Sequence, residues 1–215
     1  MDAHSFQYIY RPGTAAVPYH LLLLHGTGGD EQDMVPLADL VAPGAAIISP
    51  RGQVSENGAP RFFRRFAEGV LDVGDWRERS EGLADFVVTV STEHGISPNA
   101  LLAVGYSNGA NIAQGLLLLR PDVLGGAVLF RPMFITDDVP RKDLAGRPVL
   151  LLGGIHDPIT PPDDLPRIAQ QLQLRGAHVT VKTVQASHGL IREDISIAQH
   201  WLAGGVGRGE VKGEK

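Results

Sequence analysis

The sequence predicts an α/β fold built on about seven mostly parallel strands flanked by helices. Three observations carry the prediction. Short apolar runs of strand length alternate with segments of helical apolar spacing along the chain. Runs such as residues 21–24 and 149–152 are apolar at every position, as strands buried on both faces must be. The runs also end in glycine-rich or polar loops, where parallel sheets place their ligand sites.

The elements follow in order. Residues 6–10 read as a short first strand closed by Arg11-Pro12-Gly13, and 19–24 as a buried strand. After the loop His25-Gly26-Thr27-Gly28-Gly29, residues 31–42 have helical spacing and stop at Pro43-Gly44. Another strand, 45–49, leads into a long irregular segment from 50 to about 74. Residues 75–94 read as an amphipathic helix with Asp75 as N-cap and Gly95 as its stop. An apolar strand ending at Gly105 and a helix over 111–119 come next, then strands at 126–130 and 148–152. A helix over 163–175, a β-branched strand over 178–184 and a helix over 190–202 complete the series. The chain reads as one domain over 1–203, with no insertion large enough for a separate lid domain. The glycine-rich, charged tail at 204–215 is expected to be disordered.

Composition narrows the function. A chain of 215 residues with 43% apolar and 20% charged residues is an ordinary globular one. A net charge of −5, without a basic stripe, argues against a nucleic-acid partner. The absence of cysteine removes disulfides, thiol nucleophiles and zinc–thiolate sites. No apolar run is long enough to span a bilayer. The first residues lack a basic stretch followed by an apolar one, so a cytoplasmic location is expected. A monomer and a homodimer both remain open.

The chemistry centres on Gly105-Tyr106-Ser107-Asn108-Gly109, between a strand and a helix. Gly-x-Ser-x-Gly in that context is a nucleophile elbow, a turn so sharp that its flanks admit only glycine. Asp157 follows the strand at 148–152, and His188 follows the strand at 178–184. Taken singly, Asp157 is as readily a turn aspartate before Pro158, and His188 a loop histidine. Together they give the order Ser…Asp…His at successive strand ends, the order of α/β-hydrolases. A serine hydroxyl needs an imidazole to take its proton, and the imidazole needs a carboxylate to fix its tautomer. Ser107, His188 and Asp157 are therefore the candidate nucleophile, base and orienting acid. The backbone N–H groups of Asn108 and Thr27 are the candidate oxyanion donors. His25 and Asp30 are expected to hold loop geometry, and neither a metal nor a cofactor is called for.

The long segment 50–74 has two readings. Phe62, Phe63 and Phe66 are candidates to wall an acyl or aryl pocket, with Arg65 to bond a substrate carbonyl or carboxylate. In the competing reading the arginines pair with Glu68, Asp72 and Asp75 and pin the loop over the sheet. Met133, just past another strand end, is a further candidate for the pocket.

His25 to Asp30, Arg51-Gly52 with Glu56-Asn57-Gly58, Arg61-Phe62-Phe63-Arg64-Arg65, the elbow through Asn111, Asp157-Pro158 and Ser187-His188-Gly189 together resemble the phospholipase/carboxylesterase family of small α/β-hydrolases. Within it the chain is similar to the carboxylesterase or hydroquinone-linked hydrolase branch. The resemblance spans about residues 20–203. It implies an uncapped α/β-hydrolase fold, a cofactor-free Ser107–Asp157–His188 triad and hydrolysis of a small-molecule ester or thioester. The elbow reads Ser-Asn-Gly where acyl-protein thioesterases have Ser-Gln-Gly. Dienelactone hydrolases are similar in size but use a cysteine nucleophile. Short to medium acyl esters are the expected substrates. A lysophospholipase or thioesterase, and a non-catalytic ligand-binding protein on the same fold, are the alternatives.

Overall fold

The computed structural model describes residues 6–14 and 16–204. Strands β1 (Tyr8–Arg11), β2 (His20–Leu24), β3 (Ala46–Pro50), β8 (Leu101–Tyr106), β9 (Gly126–Phe130), β10 (Pro148–Gly154) and β11 (His178–Val184) form one sheet in the order β1-β3-β2-β8-β9-β10-β11. Only β1 runs antiparallel to its neighbour; every other pairing is parallel. The parallel strands therefore all deliver their carboxyl ends to one edge, and the polar loops collect there.

Continuous apolar runs arise because helices cover both faces. In β2, Leu22 and Leu24 point into the cluster with Trp76, Phe86 and Leu116, whereas Leu21 and Leu23 join Leu37, Val41 and Leu202 on the other face. Helices α2 (Val73–Glu93), α3 (Asn108–Leu119) and α4 (Asp164–Gln173) lie on the first face, α1 (Val35–Val41) and α5 (Arg192–Ala203) on the second. Every residue of α3 is buried between the sheet and its neighbours, as the four leucines 116–119 require.

Several boundaries differ from those read in the sequence. Helix α1 forms only over Val35–Val41, with Pro36 in its first turn; the residues before it are turns. Helix α2 begins earlier than expected, at Val73, and its N-cap is Asp72, whose carboxylate accepts from Asp75 N at 3.0 Å. Asp75, expected as the cap, instead lies buried within the first turn. The segment 50–74 is not irregular throughout. It folds into hairpins β4–β5 (Val54–Glu56, Ala59–Arg61) and β6–β7 (Arg65–Ala67, Val70–Leu71). Asn57 and Gly58 both take positive φ, 52° and 87°, as a tight hairpin turn demands. Apart from Gly204, the tail expected to be disordered lies outside the described residues.

At the centre of the sheet α3 folds back against β2 so closely that a Cβ on Gly109 would sit 1.9 Å from the Leu24 carbonyl oxygen. A Cβ on Gly105 would meet Gly109 O at 2.6 Å. Gly109→Ala is accordingly expected to cost about 1–3 kcal/mol, the range of an overpacked interior. Urea unfolding should move to a lower midpoint with unchanged slope, and a midpoint within error of the parent would show that the turn yields.

Candidate active site

Ser107 occupies the elbow with φ 52° and ψ −114°, a conformation that costs a non-glycine residue on the order of 1–3 kcal/mol. The turn is held from both sides, by Ser107 N donating to Phe130 O (2.9 Å) and Asn111 N donating to Ser107 O (2.9 Å). The hydroxyl consequently projects over the carboxyl edge of the sheet.

His188 and Asp157, from the loops after β11 and β10, meet it there. His188 Nε2 lies 2.9 Å from Ser107 Oγ, and His188 Nδ1 lies 2.8 Å from Asp157 Oδ2. An ionised carboxylate only accepts, so Nδ1 carries the hydrogen and Nε2 is left to accept from the hydroxyl. Asp157 Oδ1 takes the N–H groups of Ile159 (2.8 Å) and Thr160 (3.3 Å). Burial alone would raise the Asp157 carboxyl, but these donors and the His188 ring outweigh it and hold it below the ordinary carboxylate range. His156, next to Asp157 in the chain, takes no part: its Nε2 lies 3.1 Å from Gln185 Oε1.

Thr27 and Asn108 also border Ser107. Among the described residues, no backbone carbonyl takes the N–H of either. The loop carrying Thr27 is fixed by its neighbours. His25 Nδ1 donates to Gly26 O (2.7 Å), His25 Nε2 accepts from Gly52 N (2.9 Å), and Gly28 N donates to Pro60 O (2.9 Å). His25 and Asp30 thus serve loop geometry, Asp30 by accepting from Gln32 N. Arg51 chelates Glu31 beside them (2.5 and 3.0 Å) and holds that carboxyl low.

The cleft above Ser107 encloses about 250 Å³. Arg65 and Met133 line it. Phe62, Phe63 and Phe66 do not. Phe62 and Phe63 are 3% and 0% exposed and belong to the core beneath the hairpins, whereas Phe66 is 74% exposed on the outer side of β6. The sequence reading failed there because it treated three nearby aromatics as one group, although their backbone directions differ. Arg61, Glu68, Leu71, Tyr106 and Ile159 also line it. Tyr106 could have been found from its place beside Ser107; Leu71 had no such signal. The arginines are paired, Arg64 with two of the expected partners and Arg61 and Arg65 with an unexpected one. Arg64 meets Asp72 and Asp75, while Arg61 and Arg65 both meet Glu56. Among the described residues no group of three or more His, Asp or Glu side chains could hold a metal ion, and no helix is long and apolar enough to cross a membrane.

Fold and site geometry together define an α/β-hydrolase. Residues 64–203 match the model of the dienelactone hydrolase family, and the chain belongs to that family. It is 39% identical over 195 residues to the Bacillus subtilis (strain 168) protein named "Putative hydrolase MhqD", covering 91% of this chain and 96% of that one. Its fold matches the Bacillus cereus carboxylesterase with a TM-score of 0.89 at 38% identity, over 94% of this chain and 95% of that one. The Mesorhizobium loti carboxylesterase superposes with a TM-score of 0.88 at 32% identity, over 95% and 97%. The resemblance to small carboxylesterase-type α/β-hydrolases therefore holds, and the chain is a hydrolase of the dienelactone hydrolase/carboxylesterase type. The missing cysteine, used above to set the chain apart from dienelactone hydrolases, does not place it outside their family; the elbow residue here is Ser107.

The two hydrogen bonds of His25 need a neutral ring, and burial lowers the pKa of that ring. Below the unfolded histidine value of about 6.5 the unfolded chain binds the proton more readily, so stability is lost as pH falls through that window. The urea midpoint should drop between pH 7.5 and pH 5.0. His25→Asn should be less stable at pH 7.5 and show a flatter pH dependence; equal slopes in both proteins would assign the loss to another group, such as His20.

Proposed function

We propose that the chain is a serine carboxylesterase that hydrolyses short to medium acyl esters through an acyl-enzyme intermediate. The observation that carries the reading is the single imidazole bridging Ser107 Oγ and Asp157 at 2.9 and 2.8 Å. As Ser107 attacks the ester carbonyl, His188 Nε2 takes its proton and Asp157 stabilises the imidazolium. The N–H groups of Thr27 and Asn108 bind the developing oxyanion, each worth roughly 3–4 kcal/mol in a site of this kind. His188 then returns the proton to the leaving alcohol. A water activated by the same imidazole attacks the acyl-enzyme, and the carboxylic acid leaves Ser107 free again.

The volume of about 250 Å³ lies at the small end for a ligand site and supports a short acyl group. Met133, Leu71 and Ile159 offer the acyl chain apolar contact, while Arg65, held by Glu56, is proposed to bond a substrate oxygen. The names of the Bacillus cereus and Mesorhizobium loti relatives support ester hydrolysis. A cytoplasmic location and a monomer or homodimer belong to the same reading, and it calls for no cofactor.

Hydrolysis of p-nitrophenyl esters from two to twelve carbons tests it, with Ser107→Ala and Asp157→Asn alongside. The rate should peak at short chains, fall roughly 10⁴–10⁶-fold in Ser107→Ala and about 10⁴-fold in Asp157→Asn. A rise toward twelve carbons would favour a lysophospholipase or thioesterase. Activity equal to that of Ser107→Ala at every length would leave a ligand-binding protein.

A further inference from the structure

Arg131 is the least expected residue of the fold. It follows β9 directly, has a positive φ of 53°, and its side chain and that of its partner Asp194 are both 0% exposed. Backbone strain at a non-glycine residue and burial of a charge pair both cost free energy, and apolar residues of similar volume often replace such a pair without loss. Stability alone does not explain it.

Its contacts do. Nη1 and Nη2 each donate to one oxygen of Asp194 at 2.8 Å. The remaining donors go to backbone carbonyls: Nε to Ser187 O (3.1 Å), Nη2 to Gly189 O (3.0 Å) and Nη1 to Leu152 O (3.4 Å). All five N–H groups of the guanidinium are thereby used. Ser187 and Gly189 are the two neighbours of His188. The carbonyl of His188 itself takes the Tyr106 hydroxyl at 3.2 Å. Among the described residues no backbone N–H takes any of these three carbonyls. The stretch 187–189 that carries the imidazole is therefore hung on side chains, chiefly on one arginine, while Ala186 O just before it accepts from His156 N. The same arginine is anchored to the frame of the nucleophile, since Arg131 N donates to Leu152 O (2.7 Å) and the preceding Phe130 O accepts from Ser107 N. Asp194 closes the unit by accepting from Ile191 N at the start of α5 (2.9 Å).

We propose that Arg131, locked by Asp194, is the positioning residue of the proposed base: its fork grips the loop on both sides of His188 and sets the distance from Nε2 to Ser107. The inference rests on the reading of His188 as general base. A displacement of about 1 Å in such a pair costs about 10²-fold in rate.

Arg131→Met combined with Asp194→Leu removes both charges at once, so neither is left buried and unpaired. The double variant should keep a cooperative urea transition while kcat on p-nitrophenyl acetate falls about 10²-fold and KM changes less than about threefold. Arg131→Lys keeps a charge opposite Asp194 but lacks the planar fork that spans both carbonyls, and it should lose nearly as much kcat. A second readout needs no substrate. The downfield proton resonance of His188 Nδ1–H, assigned by its loss in Asp157→Ala, should broaden or disappear in both variants. Unchanged kcat and resonance in the double variant, or wild-type kcat in Arg131→Lys, would overturn the proposal. Loss of cooperative folding in both would make the pair purely structural and overturn it too. Hydrolysis that survives Ser107→Ala would instead refute the esterase reading, while the resonance would still decide the role of Arg131.

Discussion

The constraint on which the site depends is the contact of α3 with the end of β2, where Gly109 presses on the Leu24 carbonyl. A strand can pass into a helix over so few residues only if the helix starts almost on top of the neighbouring strand. That geometry forces Ser107 into a left-handed conformation and leaves no room for side chains at Gly105 and Gly109. It also leaves the first N–H groups of α3 aimed outward, since a helix start has no acceptors of its own. The lifted hydroxyl and the free Asn108 amide are thus two consequences of one turn.

The loops at the same edge share a second device. They are irregular, so their backbone donors cannot all pair with each other, and buried polar side chains accept from several of them. Asn108 Oδ1 takes Phe62 N at 2.7 Å, Asn111 Oδ1 takes Met133 N at 2.8 Å, and Asp164 Oδ2 takes Phe134 N at 2.9 Å. His25 does the same for Gly52, and Asp75 for Arg64. Buried polar groups left without partners are costly, so each bond fixes a loop and satisfies a side chain together. The His188 loop inverts the pattern. There the carbonyls need donors, and a guanidinium supplies more of them than any other side chain.

How much of this could be read in the sequence follows the range of the signal. The sheet strands and their order of chemistry were legible because burial on both faces leaves continuous apolar runs, and because a Gly-x-Ser-x-Gly turn has a local steric cause. Ser107, Asp157 and His188 could be named from their places after β8, β10 and β11, which the sheet then brings within hydrogen-bond distance. The cap of α2 was misread by three residues, since Asp72 and Asp75 both satisfy the local rule and only their hydrogen bond separates them. Arg131 and Asp194 are 63 positions apart, and neither has a local pattern that announces the other. Nothing short of the fold pairs them.

The stretch Arg61 to Arg65 shows why composition misleads about a pocket. It looks like an aromatic wall with charges around it, yet its two buried rings face away from the cleft. A hairpin with three-residue strands has too few ladder bonds to stand alone. Phe62 and Phe63 compensate by burying themselves over α2 and α3, as their place in the core with Trp76 and Ala110 indicates. The polar neighbours are then presented in opposite directions: Arg64 to the start of α2, Arg61 and Arg65 to Glu56 beside the cleft. The aromatics are anchors, and the guanidinium groups and small residues form the surface that meets the cleft.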